Sequence, residues 1–261
     1  MQKLAAVKEN GLGWLVFNNQ EKKNAIDYEM WRQIPVLVNE FNDQADIRVI
    51  IFRGEGGDFS AGADMSQFAT LRNSISNADS YNQAVAEASL AVRNSCKPVI
   101  AMLTGYCLGG GCSLALETDI RISDHSVKFG IPAAKRGVGY SYTGVKQLVE
   151  IVGSTHAYDL LYTGRIIAGE EGYRLGLINY LVDTEDLMSF TRKYAAIIAE
   201  NAPLTIKAVR MAIHECLTPE SRQDLTKVHA AVADCFASRD YQEGYQAFLE
   251  KRKPVFTGRK K

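Results

Sequence analysis

The stretch GYCLGGGCSLALETDI, residues 105–120, decides the architecture of this chain, because it leads through a glycine turn into the start of a helix. It follows KPVIAML, residues 97–103, whose apolar run is typical of a buried strand. Upstream, strand-like runs at residues 13–18 and 47–53 flank a helical pattern over residues 28–42. Repeated strand and helix units of this kind predict an α/β architecture.

Helical periodicity continues through much of the remaining chain. Pro35 lies inside the segment 28–42 and removes one backbone hydrogen bond, so we expect a kink or a restart of the helix there. Further helices are predicted near residues 143–152, 154–162 and 169–175, and a strand over residues 177–182. From residue 189 the pattern is nearly all helical, with Pro203 starting one segment and Thr218 with Pro219 starting another.

The composition is typical of a globular protein without a global charge. Hydrophobic types make up 46% of the 261 residues and charged types 23%, which argues against a disordered or fibrous chain. Thirty basic residues balance thirty acidic ones, so no overall field attracts nucleic acid or an anionic membrane. The five cysteines form no CxxC pair, and no apolar run approaches the ~20 residues of a membrane span. We expect a cytoplasmic protein without a metal site or a membrane span.

A second glycine loop, FSAGAD at residues 59–64, also places small residues between a strand and a helix start. Small residues let a ligand approach the backbone, and amide N–H groups at a helix N-terminus favour negative charge. Taken singly, each loop is explained by ordinary turn chemistry. Together, two such loops could direct one amide each at a common point and stabilise the enolate oxygen of a thioester.

Five motifs occur in a familiar order along the chain, namely NAI (24–26), FSAGAD (59–64), GYCLGGGCSLALETDI (105–120), FGIPAAKRGVGY (129–140) and DYQEGYQAFLEKRKPVF (240–256). In this order they resemble the crotonase (enoyl-CoA hydratase/isomerase) superfamily. The resemblance implies a spiral core of ββα repeats over residues 1–200. It also implies a helical region over residues 201–261 that serves oligomerisation and closes the coenzyme A pocket. An acyl-CoA substrate, no tightly bound cofactor and a homotrimer or dimer of trimers are expected on the same ground.

The resemblance also carries over site residues. It implies that the amides of Ala63 and Gly110 form the oxyanion hole. The positions expected to contact the acyl-CoA are Lys22, Lys23, Ala25, Ala61, Asp64, Ala133, Tyr142, Phe248 and Lys251. The lysines and Phe248 also fit an ordinary solvated surface, and Tyr142 also fits a silent pocket-lining role.

The chain departs from the superfamily's hydratase pattern at both catalytic glutamates. Ser113 and Ala133 occupy those positions, so neither supplies the carboxylate needed for proton transfer with water. Tyr140 follows the second position, and a decarboxylase of the superfamily has a tyrosine there, although that enzyme has histidine at the position of Ala63. We therefore expect Ala63, Gly110, Ser113 and Tyr140 to carry a reaction other than the two-glutamate hydration.

Two alternatives stay open from the residues alone. The first is a hydratase or isomerase whose base has moved to Ser113, Tyr140 or Glu117, the last of these one helical turn beyond Ser113. The second is a non-catalytic subunit that binds coenzyme A. Dinucleotide binding ranks far behind, because no GxGxxG fingerprint with a downstream acid is present.

Overall fold

A computed structural model describes residues 2–71 and 75–260 of the protein. The strands are β1 (Leu4–Glu9), β2 (Leu12–Phe17), β3 (Val49–Gly54), β4 (Val99–Leu103), β5 (Tyr106–Leu108), β6 (Ile120–Asp124), β7 (Lys128–Gly130), β8 (Ile167–Ala168) and β9 (Tyr180–Val182). The helices are α1 (Tyr28–Asp43), α2 (Phe68–Leu71), α3 (Ile75–Arg93), α4 (Gly110–Leu116), α5 (Tyr142–Thr163), α6 (Gly169–Arg174), α7 (Leu187–Ala199), α8 (Pro203–Cys216), α9 (Leu225–Phe236) and α10 (Arg239–Glu250). Short 3₁₀ turns lie at Gln20–Lys22, Met65–Gln67, Ala134–Arg136 and Glu220–Arg222. The α/β class with a helical C-terminal region is confirmed.

The larger sheet has six strands in the order β1-β2-β3-β4-β6-β9. Only the β1–β2 hairpin is antiparallel, and the other neighbours pair in parallel. All six residues of β2 are buried, which is the pattern of a strand covered on both faces. Leu15 and Phe17 pack into one hydrophobic cluster and Trp14 and Val16 into another, so the sheet separates two cores.

A smaller sheet, in the order β5-β7-β8, lies beside the glycine loops. An isolated parallel bridge between Ser60 and Cys107 joins the loop 59–64 to β5. A second bridge pairs Ile26 with Ala63. The FSAGAD loop is thereby held between residues that precede α1 and the strand that leads into α4, which brings the two glycine segments together.

The structure corrects several boundaries. Helix α1 runs through Pro35 without a break, because Ile34 and Val38 on either side are fully buried and hold the helix against the core. The predicted gap near residue 153 is confirmed, since Gly153 has a φ of 74° inside α5. The prediction of a helix start at Thr218 was wrong. Helix α9 begins at Leu225, where the Asp224 side chain accepts a hydrogen bond from the third helical amide.

The C-terminal helices are tied to the core by a buried arginine. Arg210 of α8 donates from Nε to both Asp119 carboxylate oxygens at 3.0 Å, and from Nη2 to the carbonyl of Val92 at 3.1 Å. Arg48 donates to the carbonyl of Phe256 at 2.8 Å and fastens the tail in the same way. These contacts join the C-terminal region to the core. The predicted roles of residues 201–261 in oligomerisation and in closing the coenzyme A pocket stay predictions.

Candidate active site

A cavity of about 490 Å³ opens where the two glycine loops meet α1, α3 and the start of α5. Its walls include Ala61 and Ala63 from the first loop, and Gly110 and Ser113 from α4. Tyr140 lines it from the segment before α5. Apart from a few polar groups the walls are apolar, which is the usual character of a small-molecule site.

The amides of Ala63 and Gly110 lie side by side in this cavity. The Ile26 amide donates to the carbonyl of Gly62 at 2.7 Å, and the Asp64 amide donates to the carbonyl of Ile26 at 2.9 Å, so the intervening Ala63 N–H faces away from that bridge. A Cβ placed on Gly110 would lie 3.5 Å from the Ala63 nitrogen. Within residues 2–71 and 75–260, neither amide donates to another protein group. Two free donors thus point into the cavity.

Glycine is required where these loops touch. Gly62 has a φ of +96°, and a Cβ on it would lie 2.6 Å from the carbonyl oxygen of Leu108 and 3.2 Å from the Gly110 nitrogen. A Cβ on Gly111 would lie 2.6 Å from the Ser60 Cβ. Any side chain at these positions would separate the loops, so the small residues serve close backbone approach as well as turn formation.

Tyr140 and Ser113 form a hydrogen-bonded pair beside the two amides. Ser113 Oγ donates to the carbonyl of Gly109 at 3.0 Å, which leaves its lone pairs to accept the hydroxyl proton of Tyr140. The Tyr140 ring packs on Gly144, where an added Cβ would lie 2.7 Å from the ring. Burial raises the pKa of Tyr140 against the opposing effect of the Ser113 hydrogen bond. The phenol therefore stays protonated and acts as a donor.

Carboxylates are absent from the two positions where the hydratase pattern has them. Ala133 lines the cavity with a methyl group, and Ser113 supplies a hydroxyl. An acid does line the wall at Glu117, just beyond the last residue of α4, and Arg93 donates to it from Nε at 2.8 Å and from Nη2 at 3.1 Å. Burial raises the pKa of Glu117, and the Arg93 guanidinium opposes this shift.

A family model described as enoyl-CoA hydratase/isomerase matches residues 7–259 of the chain, which is nearly its whole length. The chain belongs to the enoyl-CoA hydratase/isomerase family. A crotonyl-CoA hydratase from Syntrophomonas wolfei is 33% identical over 250 residues, 95% of each chain. The protein is therefore an enzyme of the crotonase superfamily that acts on acyl-CoA.

Solved structures of this family agree with the fold. A family protein from Hyphomonas neptunium has a TM-score of 0.93 and 35% identity, and the match covers 99% of this chain and 98% of that one. An enoyl-CoA hydratase/carnitine racemase from Magnetospirillum magneticum has a TM-score of 0.91 and 33% identity, covering 99% of this chain and 97% of the other. The spiral expected from the motifs is thus the fold of this chain.

The lysines expected near coenzyme A have partners within the protein. Lys22 Nζ lies 2.8 Å from an Asp64 carboxylate oxygen and 2.8 Å from Ser66 Oγ. Burial disfavours the charged form of Asp64, yet the hydrogen bonds from Lys22 and Ser66 lower its pKa overall. Lys23 Nζ lies 4.1 Å above the Tyr106 ring. Lys22 and Lys23 are both exposed at the surface. Their contact with the phosphates of an acyl-CoA stays a prediction.

The other expected contacts are divided between the cavity and the surface. Ala61 lines the cavity and Ala25 is buried beside that loop. Tyr142, the first residue of α5, is 81% exposed and does not line the cavity. Phe248 is 79% exposed on α10, and Lys251 ends that helix. These last three residues do not line the cavity of the described chain, so their contact with substrate stays a prediction.

Several residues of the cavity wall were not predicted from the sequence. Trp31 Nε1 donates to the Tyr81 hydroxyl at 3.0 Å, and both side chains line the cavity. Arg93 and Arg136 add cationic groups to the wall. Tyr81 and Arg93 lie on α3, which no sequence signal predicted, and the only available signal for Arg136 was its place in the FGIPAAKRG motif.

In the described ranges, no helix combines the length and apolar character needed to cross a membrane. The same part of the chain holds no cluster of His, Cys, Asp or Glu that could bind a metal ion.

Proposed function

We propose that this enzyme stabilises the enolate of an acyl-CoA thioester with the amides of Ala63 and Gly110, and that its reaction begins without a glutamate base. The observation that carries this proposal is the pair of unpaired amides beside the hydrogen-bonded Tyr140 and Ser113. Backbone donors in an apolar cavity stabilise developing negative charge on oxygen strongly, because they need no reorganisation during the reaction.

Decarboxylation of a thioester with a carboxylate on its α-carbon fits these groups best. The bond between the α-carbon and the carboxylate breaks, CO₂ leaves, and the electron pair is delocalised onto the thioester oxygen between the two amides. The α-carbon then takes a proton from the Tyr140 hydroxyl or from water. Since the raised pKa of Tyr140 keeps its proton in place until then, no ionised base is required before the bond breaks.

Hydration with a relocated base is the second candidate, and two observations favour it. The Syntrophomonas wolfei relative is named a crotonyl-CoA hydratase. Glu117 lies on the cavity wall with a raised pKa, as general acids and bases often have. Against it, Arg93 hydrogen-bonds both Glu117 oxygens and stabilises the ionised form, which makes the carboxylate a weaker base.

Further features of the proposal concern the substrate and the assembly. Coenzyme A enters as part of the substrate with no tightly bound cofactor, and we infer that the exposed ammonium groups of Lys22 and Lys23 contact its phosphates. A homotrimer or dimer of trimers is supported by the apolar residues exposed on the C-terminal helices, among them Leu225, Val232 and Phe236 of α9. We also propose a cytoplasmic location.

The first test is mass-spectrometric detection of products from crotonyl-CoA, methylmalonyl-CoA and a small panel of branched or aromatic acyl-CoAs. Decarboxylation or hydrolysis without hydration supports the proposal. Hydration of crotonyl-CoA at ordinary enzyme rates would contradict it, and turnover of none of the thioesters would favour a subunit that only binds coenzyme A.

A matched pair of variants tests the amides directly. Gly110→Pro removes one N–H at the first position of α4, where proline is tolerated, whereas Gly110→Ala keeps the N–H. Both variants carry a Cβ that would lie 3.0 Å from the Trp31 ring and 3.5 Å from the Ala63 nitrogen, so the comparison between them isolates the N–H. Loss of one such donor costs roughly 3 to 4 kcal/mol of transition-state stabilisation. We expect Gly110→Pro to be far slower than Gly110→Ala, and equal rates would exclude the Gly110 amide as a donor.

A further inference from the structure

An ion pair forms part of the wall of the acyl cavity one helical turn beyond Ser113. Glu117 is the residue after α4 and Arg93 the last residue of α3, and the two helices are in contact. The Glu117 side chain is 3% exposed and the Arg93 side chain 31%. The carboxylate is therefore enclosed, while the guanidinium has an open edge.

The open edge of Arg93 has unused hydrogen-bond donors. Nε and one N–H of Nη2 go to Glu117, and across residues 2–71 and 75–260 this guanidinium donates to no other group. Nη1 and the second N–H of Nη2 are left without a protein acceptor. Glu117 fixes the plane of the guanidinium by accepting from Nε and Nη2. The remaining N–H groups of Nη1 and Nη2 are therefore pre-oriented as a fork that matches a carboxylate.

We propose that the cavity accepts an acyl chain that ends in a carboxylate, and that Arg93, oriented by Glu117, binds this distal group. The inference rests on the proposed binding of the thioester at the Ala63 and Gly110 amides. Glu117 lies seven residues beyond Gly110, which at the helical rise corresponds to about 10 Å along α4. The thioester oxygen and the distal group are thus bound at opposite ends of one helix. A short chain of several carbon atoms links the two groups.

The charges on the cavity wall favour an anion over a neutral end group. The charged side chains that line it are Arg93, Glu117 and Arg136. Glu117 balances one guanidinium, and Arg136 has no ion pair in the described part of the chain. These charged groups of the wall therefore carry a net positive charge, which favours an anionic acyl group. A hydrocarbon tail would instead strip water from the free N–H groups of Arg93 without replacing their hydrogen bonds, which is unfavourable.

The test compares binding of three thioesters with matched chains, hexanoyl-CoA, 6-hydroxyhexanoyl-CoA and adipyl-CoA, by titration calorimetry. We expect adipyl-CoA to bind at least about 10-fold more tightly than hexanoyl-CoA, as one charge-assisted hydrogen-bonded pair supports. Equal or tighter binding of hexanoyl-CoA would overturn the proposal. A preference for the hydroxylated chain would overturn the assignment of a carboxylate. Failure of all three to bind would contradict the thioester site itself, and a later failure to detect a reaction would not affect this result.

Two variants connect the preference to the ion pair. Replacing both members, Arg93→Met with Glu117→Met, gives an apolar end of similar size without leaving a buried charge, and we expect hexanoyl-CoA to become the preferred ligand. Arg93→Lys keeps the charge but not the fork, so the preference should weaken without reversing. Arg192→Met removes a surface ion pair with Glu9 and serves as the control that leaves selectivity unchanged. An unchanged preference in the double variant would refute the assignment.

Discussion

Replacing Arg93 alone by methionine should destabilise the protein in a way that depends on pH. Methionine keeps much of the apolar stem but leaves the Glu117 carboxylate, 3% exposed, without its cation. Breaking a buried pair in this manner costs about 3–5 kcal/mol when the remaining charge cannot be neutralised. Here Glu117 can take up a proton and become neutral, which limits the loss of unfolding free energy.

The limit follows from the pKa of the carboxyl group. Holding an acid whose ordinary pKa is 4.5 in its protonated form at pH 7 costs about 3.4 kcal/mol, at 1.36 kcal/mol per pH unit. Burial has already raised the pKa of Glu117 in the native protein, so part of this cost is present before the substitution. We therefore expect Arg93→Met to lose about 2 kcal/mol of unfolding free energy at pH 7.

The sign of the pH dependence can be worked out in the same way. For an acid with a raised native pKa, the stabilising contribution is complete below pH 4.5 and is lost as the pH rises through the native pKa. Removing Arg93 raises that pKa further, so the variant continues to lose stability at higher pH than the wild type. The difference between the two proteins should shrink toward pH 5.

Urea unfolding followed by circular dichroism at pH 5 and pH 7 measures this difference, at one protein concentration because self-association shifts apparent stability. Lys253→Met is the control, because it removes only an exposed ion pair with Glu200, and such pairs contribute about 0–1 kcal/mol. A loss below about 0.5 kcal/mol at pH 7, or an equal loss at both pH values, would refute the reasoning.

Three further predictions concern the stability of a glycine loop, unfolding at acid pH and the attachment of the C-terminal segment. Gly62→Ala should lower stability by about 1–3 kcal/mol and slow turnover, because φ is +96° and the new Cβ would lie 2.6 Å from the Leu108 carbonyl oxygen; thermal melts and steady-state rates check this. Lys22→Met removes a hydrogen bond that lowers the pKa of Asp64, so the stability that is lost as pH falls should be lost at a higher pH, visible in an acid titration by circular dichroism. Asp240→Ala removes the acceptor of two tail amides at 2.7 Å each, so the C-terminal segment should become cleavable in limited proteolysis, whereas Asp240→Asn should protect it in part.

The sequence alone was sufficient for the family, the fold class and the two glycine loops. Glycine patterns such as GGGC at residues 109–112 are local, because the backbone conformation they permit depends on the absence of a Cβ at those positions. Apolar runs such as β2 are also local signals, because a strand covered on both faces needs consecutive apolar residues. The substitutions at Ser113 and Ala133 were also visible directly, since the surrounding motifs fixed which positions to inspect.

Only the tertiary structure decided which side chains share the cavity. Tyr142 and Tyr140 are two residues apart, yet Tyr142 is exposed and Tyr140 hydrogen-bonds Ser113, because α5 begins at Tyr142 and the chain changes direction there. Helix α3 gave no clear periodic signal, so Arg93 could not be assigned to the wall before its contact with α4 was known. Local patterns determine conformation over a few residues, whereas the pairing of Arg93 with Glu117, 24 positions apart, depends on how two helices pack.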